Sequence, residues 1–247
     1  HANSIQVRNS DSAGNTSEAV TNPTDITIDT TFPGKPIAIW PTSISKDGTV
    51  TITLGSEAVS WEYTLDNGLN WNIGNGLEFI LPQGTYIQYA LQVRNGDSAG
   101  NLTYSDVNDY AITIDNIAPI ITLDGSSSII HEKGFAYNDP GATATDSSNI
   151  DLTQNIIVIN NVDINVPGFY QVIYDVSDNA GNEALRVIRN VRVIDTIIPV
   201  ITLNGNSNIN HEKGFIYIDP GATATDFSGI DLTENLKITH NIDINKI

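Results

Sequence analysis

The chain has 247 residues, 40% of them apolar, and carries 29 acidic against 11 basic side chains, a formal net charge of −18. That balance argues against nucleic acid and anionic membrane as partners and gives a soluble, self-repelling surface suited to cations. Cysteine and methionine are absent, which removes disulfide frames, zinc fingers and thiol catalysis, and no apolar run reaches the length of a membrane span.

Residues 1–33 match residues 87–119 without a gap. Both stretches hold Asp-Ser-Ala-Gly-Asn (Asp11–Asn15, Asp97–Asn101), then Ile-Thr-Ile-Asp (Ile26–Asp29, Ile112–Asp115) and a proline (Pro33, Pro119). The pattern predicts that 1–33 is the last hairpin of a module whose beginning is missing. A lone hairpin is marginal in water and should fray.

Residues 34–118 read as one whole module. Thr49–Leu54 alternates with period 2, as a half-buried strand does. Trp61–Leu65 follows, then the turn Asp66-Asn67-Gly68, the strand Asn70–Ile73 and a second turn at Gly74-Asn75-Gly76. Pro82–Tyr86 leads into a strand expected over Tyr89–Val93. Short strands punctuated by Gly, Asn and Pro, with no helical period, indicate an all-β sandwich or barrel.

Residues 119–198 form a second module with different internal wording. Ile120–Leu123 is a strand, Asp139-Pro140-Gly141 a turn before Ala142–Asp146, and Ile156–Ile159 another strand. Pro167–Tyr170 then opens Val172–Val176. Tyr86 and Tyr170 each begin a late strand, the place of a tyrosine corner in an immunoglobulin-like sandwich. Residues 199–247 repeat 119–167, with Pro199–Asn245 aligned to Pro119–Asn165 without a gap, and this truncated module is expected to lack its final two strands, leaving an open sheet edge. The chain thus reads as an excised fragment of a tandem array with a period near 80 residues.

The first whole module, with Trp61–Trp71, Leu81–Tyr86 and Asp97–Asn101, resembles the bacterial immunoglobulin-like repeats of giant surface adhesins. The second and third resemble the bacterial surface immunoglobulin-like family close to the hyalin repeat. Ile121–Leu123, Tyr137–Ala142, Asp151–Thr153 and Tyr174–Asn182 carry that likeness. The resemblance implies tandem immunoglobulin-like β-sandwich modules in an elongated array, forming a spacer or stalk in a secreted or cell-surface bacterial adhesin. In some relatives calcium stiffens the joints. Its expected partners are flanking repeats of the same polypeptide, with host or neighbouring-cell ligands reached through domains elsewhere.

No convergent catalytic set stands out. His131-Glu132-Lys133-Gly134 and its copy at His211 begin like a metalloprotease motif, but Phe135 and Phe215 stand where the second histidine belongs. Trp61 is expected in the core. Trp71 and Tyr104 are the aromatics that would serve the alternative function, a carbohydrate- or protein-binding module accompanying an extracellular enzyme. The remaining pattern is acidic. Each copy closes with Asp, three residues and Pro, and sandwich topology places loop carboxylates beside that Asp. The expected sets are Asp29, Glu57 and Asp97; Asp115, Asp146, Asp151 and Asp178; and Asp195, Asp226 and Asp231. Six to eight oxygens, several of them carboxylate, are what calcium requires. Asp and Asn also populate turns because their side chains bond the nearby backbone.

Overall fold

The computed structural model describes residues 5–21, 27–147, 150–227 and 229–243. Residues 22–26, which include the start of the strand expected to end at Asp29, and the end of the 199–245 repeat lie outside them. The described residues are all-β, with two short 3-10 turns and no α-helix. They divide into two compact units: 1–117 with Asn179–Asn182, and 118–178 with 183–247.

In the first unit β1 (Gln6–Val7) pairs with β2 (Val20–Thr21). The chain then forms β3 (Ile37–Ile39), β4 (Ile44–Ser45), β5 (Thr49–Thr53), β6 (Ser60–Thr64), β7 (Asn72–Ile73), β8 (Glu78–Ile80), β9 (Gly84–Tyr86), β10 (Gln92–Gly96), β11 (Leu102–Tyr104) and β12 (Ile112–Ile114). The sheets run β3-β5-β8, β11-β10-β6-β7 and β4-β12-β9. All pairs are antiparallel except β4 with β12.

Strand alternation builds the core. Val50 and Ile52 point inward from β5 while Thr51 and Thr53 face solvent, and Trp61, Leu91, Val93, Ile112 and Ile114 join them. Trp61 is 4% exposed and its indole N–H donates to the Gly76 carbonyl at 2.9 Å, so its one polar atom is satisfied. Its ring leaves no room at Gly74, where a Cβ would lie 2.1 Å away. The strand expected from Tyr89 begins instead at Gln92. Tyr89 turns with φ 68°, and buried Asn108 replaces ladder partners, its side-chain oxygen accepting from Leu91 N at 2.8 Å.

The second unit contains β13 (Ile120–Leu123), β14 (Ser128–Glu132), β15 (Ala142–Thr145), β16 (Ile157–Asn160), β17 (Gly168–Asp175), β18 (Val187–Ile194), β19 (Val200–Leu203) and β20 (Ala222–Thr225). β13 pairs with β15, and β14-β18-β17-β16 form a four-stranded sheet in which β14 runs parallel to β18. The register of β19–β20 reproduces β13–β15 eighty residues later, Val200 opposite Thr225 as Ile120 is opposite Thr145. Ile121 is 8% exposed beneath β17 and β18, whereas its counterpart Ile201 is 62% exposed.

Both corner tyrosines tie back four residues. Tyr86 donates to Pro82 O and Tyr170 to Val166 O, each at 2.8 Å. The second unit also buries an ion pair. Arg189 is fully buried on the inward side of β18, beside Val191 and Val193. Its guanidinium donates to Asp139 at 2.6 Å, to the Tyr174 hydroxyl at 2.7 Å, and to the carbonyls of Ser126, Asp124 and Gly141 at 2.9, 2.6 and 3.0 Å. Burial alone would raise the Asp139 pKa, but hydrogen bonds from Tyr174, Arg189 and Tyr137 outweigh it and hold the carboxyl below its ordinary range. Burial, then the bond to Asp139, pushes the Tyr137 phenol up to about 12.

Candidate functional site

Several of the acidic candidates are turn residues whose carboxylates are engaged by their own loops. Asp97 Oδ1 accepts from Ala99 N and Asn101 N, both at 2.9 Å, and Oδ2 accepts from the Asn101 amide at 2.8 Å. The Asn101 side chain is the chief cause of its lowered pKa. Asp151 and Asp231 accept from Thr153 N and Thr233 N at 2.9 Å, and those threonine side chains are the main cause of their depressed pKa values. Asp29 accepts from Thr31 N at 2.9 Å, and Glu57 is exposed in a turn with φ 64°. Among the described residues, Asp29, Glu57 and Asp97 do not bring three ligand oxygens within 4.8 Å of one another, nor do Asp195, Asp226 and Asp231.

Asp115 follows β12 in the first unit. Its N–H donates to Ser45 O at 2.9 Å, and its carbonyl accepts from the Asn182 amide at 2.8 Å. Its carboxylate accepts from Ile117 N at 3.2 Å.

Within the second unit, Asp146 and Asp178 come together. Asp146 caps the end of β15 and is 6% exposed. Its Oδ1 accepts from Ser147 N at 2.5 Å, and among the described residues no basic side chain forms an ion pair with it. Asp178 follows β17, and a carboxylate oxygen of each residue lies within 4.8 Å of the other. Two ligands on one calcium, each roughly 2.3–2.6 Å from the ion, stand at most about 5 Å apart, so this pair fits a shared hard cation. An uncompensated buried carboxylate is costly, which gives such a cation a reason to bind.

Asp195 and Asp226 also meet, but around a side chain of the protein. The Lys133 ammonium donates to Asp195 Oδ2 at 2.8 Å and to Asp226 Oδ2 at 3.2 Å. The hydrogen bond to Asp195, then that to Asp226, raises the Lys133 pKa. Sequence reading missed this lysine. The signal was its place directly after β14, which runs parallel to β18, the strand that ends one residue before Asp195.

The histidines serve packing. His131 Nε2 lies 3.0 Å from Phe135 O and the ring stands edge-on to Tyr137 at 5.3 Å, with His211, Phe215 and Tyr217 repeating the arrangement. Trp71 is half-buried, packed edge-on against Tyr104 with centroids 5.7 Å apart, and the Arg94 guanidinium covers its ring at 4.1 Å. No helix among the described residues is long and apolar enough to cross a membrane.

Residues 121–193 match the family model described as "Bacterial surface protein, Ig-like domain". The chain is 27% identical over 172 residues to the pesticidal crystal protein Cry22Aa of Bacillus thuringiensis, a match covering 63% of this chain and 21% of that protein. The chain thus spans about a fifth of that relative's length. Fibronectin(III)-like modules of Clostridium thermocellum CbhA align over 68% of this chain and 94% of theirs, at 16% identity and a TM-score of 0.32. The lipoprotein BT2262 of Bacteroides thetaiotaomicron aligns over 45% of this chain and 62% of its own, at 22% identity and a TM-score of 0.29. Residues 121–193, with their paired sheets and tyrosine corner, are similar to the Ig-like domain of bacterial surface proteins.

Proposed function

We propose that the chain is a non-catalytic spacer in a secreted or cell-surface bacterial protein, and that calcium bound by Asp146 and Asp178 consolidates it. The tandem sequence pattern supports the spacer reading, since each repeat adds length while presenting the same fold. The observation that carries the calcium reading is Asp146. This buried carboxylate has no basic partner among the described residues and has a second carboxylate within 4.8 Å. Calcium supplies the missing positive charge, and Asp146 and Asp178 supply two of its oxygens while loop carbonyls and water complete the shell.

The test is thermal melting of the whole chain in chelator and in millimolar calcium. Calcium at 100 times its dissociation constant adds about 2.7 kcal/mol to the liganded unit. Asp146→Asn removes the uncompensated charge, so it melts as a folded protein and loses the calcium response. A parent chain that melts identically in chelator and calcium overturns the metal reading.

A further inference from the structure

Asp146 and Asp226 occupy the same position in two copies of one sequence, each closing Ala-Thr-Ala-Thr-Asp, and each is largely withdrawn from solvent. The two carboxylates are nevertheless balanced differently. Asp226 receives the Lys133 ammonium at 3.2 Å, and the same ammonium reaches Asp195 at 2.8 Å. The lysine is well placed for this. β14 runs parallel to β18 with Glu132 opposite Ile194, and Lys133 N donates to Ile194 O at 2.7 Å, so Lys133 and Asp195 leave the sheet side by side. Its side chain is only 16% exposed, and Glu132 beside it is occupied elsewhere, accepting from Thr196 N and Oγ1 at 2.7 Å each. Lys46 holds the corresponding place in the first unit, directly after β4, which runs parallel to β12. Its amine goes to a neutral acceptor, the Gly181 carbonyl at 3.1 Å.

We infer that Lys133 is a tethered cation: its ammonium clamps Asp195 to Asp226 and holds these two loops together without a metal ion. An ammonium between two carboxylates supplies the charge that calcium would, at fixed stoichiometry and independently of calcium concentration. Its three N–H bonds reach two acceptors and leave one donor for water. Among the described residues no third carboxylate joins these two, and with the lysine in place their summed charge is −1, a poor site for a divalent ion. One lysine thereby makes this clamp indifferent to calcium, whereas Asp146 depends on an added ion. The contrast between the two positions rests on the calcium reading of Asp146, while the clamp itself rests on the lysine's own contacts.

The test is calcium titration by calorimetry of the full chain and of variants. Lys133→Met exposes Asp195 and Asp226 to one another and gains about one calcium equivalent over the parent, and Lys133→Met with Asp195→Asn loses it again. Asp226→Asn in the parent background leaves calcium binding unchanged. A melting scan of each variant confirms that the unit built around Arg189 is still folded. If Lys133→Met gains no calcium, or if Asp226→Asn removes calcium from the parent, the clamp is refuted whatever Asp146 does. If the parent binds none but Lys133→Met binds one equivalent, the clamp stands and the calcium reading of Asp146 falls.

Discussion

Replacing Arg189 by methionine tests what holds the second unit together. The guanidinium is fully buried and makes five hydrogen bonds, three of them to backbone carbonyls of Ser126, Asp124 and Gly141. Methionine fills much of the volume but satisfies none of those acceptors, and it strands the Asp139 carboxylate. Some compensation remains, because Asp139 keeps the Tyr137 hydroxyl at 2.7 Å and Gly141 N at 2.8 Å. Breaking one side of a buried pair costs about 3–5 kcal/mol, and the retained bonds place this case near the lower figure. For a unit of this size each kcal/mol moves the midpoint by roughly 3–5 °C, so the transition should fall by on the order of 10 °C. Calorimetry of the parent, Arg189→Met, Asp139→Asn and the double variant measures it, with the first unit's transition as an internal control. The double variant should be less destabilised than the sum of the singles, because the second substitution removes a charge already stranded by the first. An Arg189→Met cost below about 1 kcal/mol, or strict additivity, refutes the argument that the pair is mutually required.

The Asp139 carboxyl has a depressed pKa in the folded state, so its contribution is present above the unfolded value near ~3.9 and is lost as pH falls through the lower folded value. Melting of the second unit should therefore weaken below about pH 4, and Asp139→Asn should remove part of that dependence. Gly55→Ala should destabilise the first unit by about 1–3 kcal/mol, because a Cβ there would lie 1.8 Å from the Gly34 carbonyl; urea midpoints at constant slope report it. Tyr86→Phe and Tyr170→Phe each delete one 2.8 Å hydrogen bond and should each cost about 0.5–1.5 kcal/mol, in different units, read from the two calorimetric transitions.

Much of the fold is legible because a sandwich strand writes its burial with period 2. Thr49–Thr53 and Ile112–Ile114 fall where the alternation puts them, and the repeated proline-led corners expose Tyr86 and Tyr170 as anchors. The strand start at Tyr89 was misplaced because a buried asparagine, Asn108, takes over the hydrogen bonding, and Asn reads as a loop residue in sequence. Arg189 was legible in principle. It shares inward parity with Val191 and Val193, and a charged residue at an inward position demands a partner. That partner, Asp139, is hidden fifty residues away inside an Asp-Pro-Gly turn. The acidic site divides the same way. Aspartates two residues before the backbone N–H groups that donate to them, such as Asp97 and Asp151, are local and follow from turn chemistry. The pairing of Asp146 with Asp178, and of Lys133 with Asp195 and Asp226, depends on which loops the sheets bring together.

The parallel pairing of β14 with β18 bears on how the second unit responds to tension. Residues 128–132 lie near the beginning of their module and residues 190–194 at its end, joined over five consecutive positions. Pulling on the flanking chain drags these neighbours in opposite directions along their length, so the hydrogen bonds between them share the load and must yield together. Antiparallel strands pulled from one end would open one bond at a time. The equivalent pairing in the first unit, β4 with β12, spans two positions. Under a steadily rising force the first unit should give way before the second, lengthening the molecule in stages while the longer clasp stays shut.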